Sequence, residues 1–132
     1  MSEILVDNLT GKTSAGSVTV TSEGGAATQS LQQGLTKVWV KFGAYSTNTI
    51  FDSVNVTSFT DNGTGDFTVN FNNNMGNAFY SATAGKWNSA SNTGFTINCQ
   101  DNDSSLQDVI TFENDVATDP HACSLAIHGD LA

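Results

Sequence analysis

From Ile50 onward the apolar residues of this chain recur at every second position, and that period decides what it can fold into. The clearest run is DFTVNF, where Phe67, Val69 and Phe71 alternate with Thr68 and Asn70. Successive side chains of an extended chain point to opposite faces, so such a run buries one face of a strand and wets the other. The same pattern marks strands over 79–84, 95–100, 109–113 and 122–128, and Val54 and Val56 point one way in a strand that runs on to Phe59. Turn-rich stretches separate them: NNNMGN at 72–77, AGKWNSASNTG at 84–94 and DNDSS at 101–105. The single proline, Pro120, suits an edge or a loop. Strands of this length at this spacing predict an all-β chain folded as a jelly-roll-like β-sandwich.

Residues 1–35 differ. They contain no aromatic residue and carry glycine at 11, 16, 24, 25 and 34. Val18 and Val20 alternate with Ser17, Thr19 and Thr21, a strand whose one apolar face is too small to build a core of its own. Two readings fit the following AATQSLQQGLTKVWVKF. Leu31, Leu35, Val38 and Phe42 have the 4-3-4 spacing of a coiled-coil seam. Alternatively, a short helical turn ends near Gly34 and a strand from Lys37 to Phe42 sets Val38, Val40 and Phe42 on one face. Ser30 with Gln33 has the pattern of a capping box, and Gly34 costs a continuous helix about 1 kcal/mol. The expected division is therefore an extended N-terminal arm, 1–35, and a sandwich domain, 36–132. Such an arm must lie on the main domain, a sister chain or a partner, and Val18, Val20, Leu31, Leu35 and Val38 are its candidate oligomer or anchor contacts.

A chain of 132 residues suits one domain with a small extension. Four lysines, no arginine and thirteen acidic residues give a net charge of -9. Binding to nucleic acid by neutralising phosphates needs clustered Lys and Arg, so no nucleic-acid partner is expected, and anionic membrane surfaces are disfavoured for the same reason. Asn, Ser and Thr make up about a third of the chain, as on solvated β surfaces rich in turns. No apolar run approaches a membrane span, and the start MSEILVDNLTGK has an acidic residue where a secretory signal carries basic ones. A cytosolic origin is the expectation, and in that reducing setting Cys99 and Cys123, each in the apolar phase of a strand, are expected as buried free thiols.

Little in the chain has the pattern of chemistry. DNGTGDFTVNF at 61–71 places two aspartates around Asn-Gly, yet it lacks the D-x-[DN]-x-[DN]-G order and the downstream glutamate of a calcium loop, so it reads as a hairpin turn at Asn62-Gly63. Asp101, Asp103 and Asp108 read as a solvated loop between strands. His121 and Cys123 share a strand face, but His128 falls in the opposite phase and a fourth zinc ligand would have to be the distant Cys99. No metal site and no cofactor is expected. The G-x-S-x-G, H-E-x-x-H and G-x-x-x-x-G-K-[ST] patterns are missing, which favours a non-enzymatic role, although any two of thirteen acids could meet as a glycosidase pair. Trp87, in the polar GKWNSASNTG, is either a sugar-stacking or partner-contact residue or a tryptophan folded back over the sandwich edge.

Three stretches, EILVDNLTGKTSAGSVTVTSEGGAATQSLQQGL, DSVNVTSFTDNGTGDFTVNFNNNMGNAFYS and SLAIHGDLA, resemble a family of fibre-like virion structural proteins of tailed bacteriophages, frequent in marine and cyanobacterial phages. The resemblance covers over half of the chain and carries no catalytic residue; 83–119 matches no pattern of the family. It implies a virion component, a fibre or capsid decoration protein, assembled in the host bacterial cytoplasm. It also implies a homotrimer that contacts other virion proteins. An alternative is a lectin-like receptor-binding module recognising host surface glycan through Trp87, Tyr80 or the Asn-rich loops.

Overall fold

Alternation becomes strand wherever a polar residue can face water opposite an apolar one. The computed structural model describes residues 4–14, 17–87 and 95–132, apart from the side chains at 95, 101 and 102. The chain divides into two units, Met1–Leu35 and Thr36–Ala132. In the first, β1 (Thr19–Thr21) pairs antiparallel with β2 (Thr28–Ser30), Thr19 opposite Ser30. Their loop is closed by the Ser22 amide donating to the Ala27 carbonyl at 2.8 Å. A single helical turn, α1 (Leu31–Gly34), follows, with the Ser30 hydroxyl accepting from the Gln33 amide at 3.4 Å. It stops at Leu35, whose φ of -89° and ψ of 142° are extended. The turn-then-strand reading of this stretch holds, and the seam reading fails, because one helical turn is too short to carry heptads.

The second unit runs β3 (Thr36–Gly43), β4 (Thr49–Val54), β5 (Val56–Gly63), β6 (Asp66–Phe71), β7 (Ser81–Trp87), β8 (Phe95–Asp103), β9 (Leu106–Glu113), β10 (Val116–Ala117) and β11 (Ala122–His128). One antiparallel sheet has the order β4-β3-β11-β7; the other has β5-β6-β9, with β8 also on β9 and the short β10 at the end of β9. The fold is all-β, a sandwich of these two sheets. Val38, Val40 and Phe42 of β3 with Cys123, Leu125 and Ile127 of β11 form one inner face; Phe67, Val69 and Phe71 of β6 with Val109 of β9 form the other. Phe42 meets Phe59 with ring centroids 4.5 Å apart and Phe67 at 5.6 Å, edge-on. Such pairs contribute about 0.5–1.5 kcal/mol each beyond the area they bury. Two polar residues also face inward. Thr111 donates from its hydroxyl to the Thr118 carbonyl at 2.6 Å, and Gln107 donates from Nε2 to the carbonyls of Gln100 and Asp108.

Three boundaries differ from the periodicity. Val54 and Val56 do not lie in one strand: Asn55, at φ 59°, breaks it and carries the chain from one sheet to the other. Asn is among the few residues that tolerate this left-handed conformation, and its side chain is used in full. Asn55 Oδ1 accepts from the Asn73 amide at 2.7 Å, and its Nδ2 donates to the Asn73 carbonyl at 3.0 Å. Next, the β5–β6 turn falls at Thr64-Gly65, two residues beyond Asn62-Gly63. Asn62 remains in β5 and donates to Thr68 Oγ1 at 2.9 Å, while Gly65 takes φ 73°. Finally, Phe79 and Tyr80 precede β7 instead of opening it, and Phe79 is 95% exposed. The expected loop residues 88–94 lie outside the described residues.

Gly65 sits where the turn needs both a positive φ and no side chain, since the Thr111 carbonyl oxygen and the Thr118 amide occupy the space a Cβ would fill. Gly65→Ala should lower stability by at least about 1–2 kcal/mol in urea unfolding. Gly24→Ala, which meets nothing within 4 Å, should leave the transition unchanged.

Candidate functional site

The outer face of the β4-β3-β11-β7 sheet collects side chains that the core does not use. Because Val38, Val40 and Phe42 point inward, Trp39, Lys41 and Gly43 point out. On β11 the outward residues are Ala122, Ser124 and Ala126, and on β7 they are Thr83, Gly85 and Trp87. The ladder aligns them in rows: Val54, Trp39, Ala126 and Thr83 in one, Asp52, Lys41, Ser124 and Gly85 in the next. In these two rows, the positions on β11 and β7 hold residues no larger than threonine. A bulge on β4 skips Phe51 in the pairing, and its ring lies over Gly43, with Cε2 3.2 Å from the position a Cβ would take. A larger residue at 43 would first collide with the His121 carbonyl oxygen, which lies closer still to that position.

At the end of this floor stands an aromatic group that the linear sequence disperses. Tyr45, 62% exposed, stacks on the His121 ring with centroids 3.8 Å apart and planes 20° from parallel. Trp87, 58% exposed, meets the same imidazole edge-on at 5.9 Å. The Tyr45 and Ala44 amides both donate to the Pro120 carbonyl, which fixes the loop after β3 against the entry to β11. Trp87 is thus not in a loop: it ends β7, the edge strand of this sheet, with its ring against His121. It forms one side of a hollow of about 390 Å³ lined also by Lys41, Gly85, Ala122 and Ser124.

Two candidate site residues are corrected. Tyr80 is buried at 9% exposure, its hydroxyl within 2.6 Å of the Leu106 carbonyl and 3.1 Å of the Asp103 carbonyl, so it offers no platform to a sugar. Burial, with Asp103 nearby, pushes its phenol well above the ordinary tyrosine range. Val38 is fully buried in the sandwich and is no oligomer contact. Of the other arm candidates, Val20 and Leu35 are more than half exposed, and Val18 and Leu31 are half-buried.

The acidic loops work as turns. Asp61 Oδ1 accepts from the Gly63 amide at 2.9 Å. Asp103 Oδ1 accepts from the Ser105 amide at 3.0 Å and its hydroxyl at 2.9 Å, and Asp108 accepts from Thr68 Oγ1 at 2.6 Å. The side chain of Asp101 lies outside the described residues. Among the described residues, no group of three or more His, Cys, Asp or Glu could hold a metal ion. His128 is engaged with Thr36 Oγ1 at 3.0 Å. Cys99 and Cys123 are both free thiols; burial pushes Cys123 up to about 12 and raises Cys99 as well. Lys86, partly desolvated between the sheets, donates to the Phe112 carbonyl at 3.3 Å, and that desolvation lowers its pKa.

Two measurements follow from these environments. The thiolate is the reactive form and both folded thiols resist forming it. Iodoacetamide at neutral pH should therefore label the folded protein slowly, and the unfolded, unreduced chain should take two labels. The hydrogen bonds from the Ser105 amide and hydroxyl hold the Asp103 carboxyl below its ordinary range. A depressed folded pKa gives stability that is present above the unfolded value of about 3.9 and is lost as pH falls through the folded one. Asp103→Asn, which can still accept at Oδ1, should keep the turn and flatten the stability profile below about pH 4. No family model, no curated protein and no solved structure matches the chain.

Proposed function

We propose that the protein is a non-enzymatic structural component of a phage virion, a fibre or capsid decoration protein held by residues 1–35 with its sandwich displayed on the particle surface. The observation that supports this reading is the exposure of the first unit's apolar side chains: Ile4 is 84% exposed, Leu5 82%, Leu9 61% and Leu35 55%. A hairpin of three-residue strands cannot bury enough surface to offset ordering at about 1–2 kcal/mol per residue. Those side chains call for an outside surface, and closed cyclic symmetry supplies one without leaving an edge that propagates. A homotrimer anchored to other virion proteins meets that need. Among the described residues the core lies wholly within Thr36–Ala132, and on this reading the sandwich should fold without the arm.

Native mass spectrometry of the full chain and of residues 36–132 tests the proposal. The full chain should be trimeric and the truncated one monomeric yet folded. A monomeric full chain that neither self-associates nor binds virion proteins would overturn it. The exposed Trp87 favours a second reading, a lectin-like module that recognises host surface glycan, with a surface other than Tyr80.

A further inference from the structure

We propose that Asn62 is a modification site: its side-chain amide is converted to a carboxylate through a cyclic imide formed with the Gly63 backbone, a one-way change that ages the β5–β6 hairpin. Among the asparagines of the chain, Asn62 alone precedes a glycine. Closing the imide ring requires the nitrogen of the next residue to swing onto the asparagine Cγ, and a Cβ on that residue obstructs the swing. Gly63 has none, its φ of 143° is one that glycine adopts freely, and the place a Cβ would take has nothing within 4 Å. An asparagine inside a regular ladder is held flat by its neighbours. Asn62 is instead the extra residue of a bulge, since Asp61 stands opposite Phe67 and Gly63 opposite Asp66. Residues 61–64 are all exposed, so water reaches the site.

Hydrogen bonds at the bulge prepare the reacting atoms. The Gly63 amide donates to Asp61 Oδ1 at 2.9 Å, and Oδ2 of the same carboxylate accepts from Asn48 Nδ2 at 2.8 Å. An anchored anion thus draws the proton of the attacking nitrogen. A bond forms between the Gly63 nitrogen and Asn62 Cγ while the Cγ–Nδ2 bond breaks; the amide proton passes through Asp61 and solvent to the departing nitrogen, which leaves as ammonia. Water then opens the ring at either carbonyl. One opening leaves an aspartate, and the other an isoaspartate whose main chain runs through the former side chain. Either product disturbs the hairpin. Asn62 Nδ2 donates to Thr68 Oγ1 at 2.9 Å and to Asp66 Oδ1 at 3.3 Å. A carboxylate donates to neither, and it sets a like charge against Asp66. The isoaspartate also adds a methylene to the β5 backbone beside the Thr64-Gly65 turn, where the Thr111 carbonyl and the Thr118 amide already fill the space next to Gly65.

The full chain, kept folded and warm at mildly alkaline pH, tests the assignment, with the urea-unfolded chain as comparison. Peptide mapping by mass spectrometry should find the amide-to-acid mass gain at Asn62 of the folded protein ahead of every other asparagine. An isoaspartyl methyltransferase should accept the aged protein and not the fresh one. Asn62→Gln, whose longer side chain closes the ring poorly, should abolish the gain at that position. Asp61→Ala should slow it several-fold with the circular dichroism unchanged, and Asn48→Ala, which leaves the carboxylate in place but unanchored, should slow it less. Asn62→Asp, one of the products, should unfold at a lower urea midpoint than the fresh protein. Conversion at Asn62 only in urea overturns the proposal, because the fold then protects the site, and so does a gain confined to other asparagines. An unchanged rate in both Asp61→Ala and Asn48→Ala overturns the part given to the carboxylate. An unchanged midpoint in Asn62→Asp overturns the loosening of the hairpin.

Discussion

Phe42 lies against Phe59 and Phe67 of the opposite sheet, and the parity of the largest part of the structure depends on that three-ring contact. Side chains alternate strictly along a strand, so a slip of one residue in β3 would turn Val38, Val40 and Phe42 to water and drive Trp39 and Lys41 into the core. The rings thereby determine the inner face and, by the same alternation, the outer one. β11 and β7 inherit the parity through the ladder, from Val40 opposite Leu125 to Leu125 opposite Ala84. What the outer face offers to solvent is thus a by-product of how the core closes.

Acidic residues are spread through the chain for a related reason. Asp61, Asp103 and Asp119 each accept from a backbone amide at a turn: Gly63, Ser105 and Gly65 respectively. Turn amides have no partner in a ladder, and a short carboxylate satisfies them locally. Asn55 does the same with an amide side chain at the crossing between sheets. Part of the polar composition thus serves as corner pieces, and Asp61 and Asp103 have this structural use in the two aspartate-bearing turns.

Legibility followed the cleanness of the alternation. Residues 122–128 were readable to the residue because Cys123, Leu125 and Ile127 are apolar and their neighbours small or polar. The region 54–59 misleads, since Val54, Val56 and Phe59 give an apolar signal straight through a break that depends on the backbone of Asn55. At 79–80 two adjacent aromatics look alike, and only the tertiary fold buries one and leaves the other in water. The hollow was the least readable part. Trp87 could be singled out as an aromatic in polar surroundings, but Tyr45 and His121 come from separate segments whose meeting with it depends on the strand order β3-β11-β7. Strand order across a sheet leaves no local trace in a sequence.

The edge strand β4 has a consequence of a different kind. Among the described residues it pairs only with β3, and Ile50, Phe51 and Val54 are 38%, 55% and 46% exposed. An apolar strand with an open row of amides and carbonyls invites the same strand of another molecule to add to it. Asp52, the one charge in TIFDSV, stands in the middle of that row. It works as a gatekeeper: repulsion between identical carboxylates keeps crowded copies from zipping edge to edge, and without that charge the segment would have the makings of an aggregation nucleus.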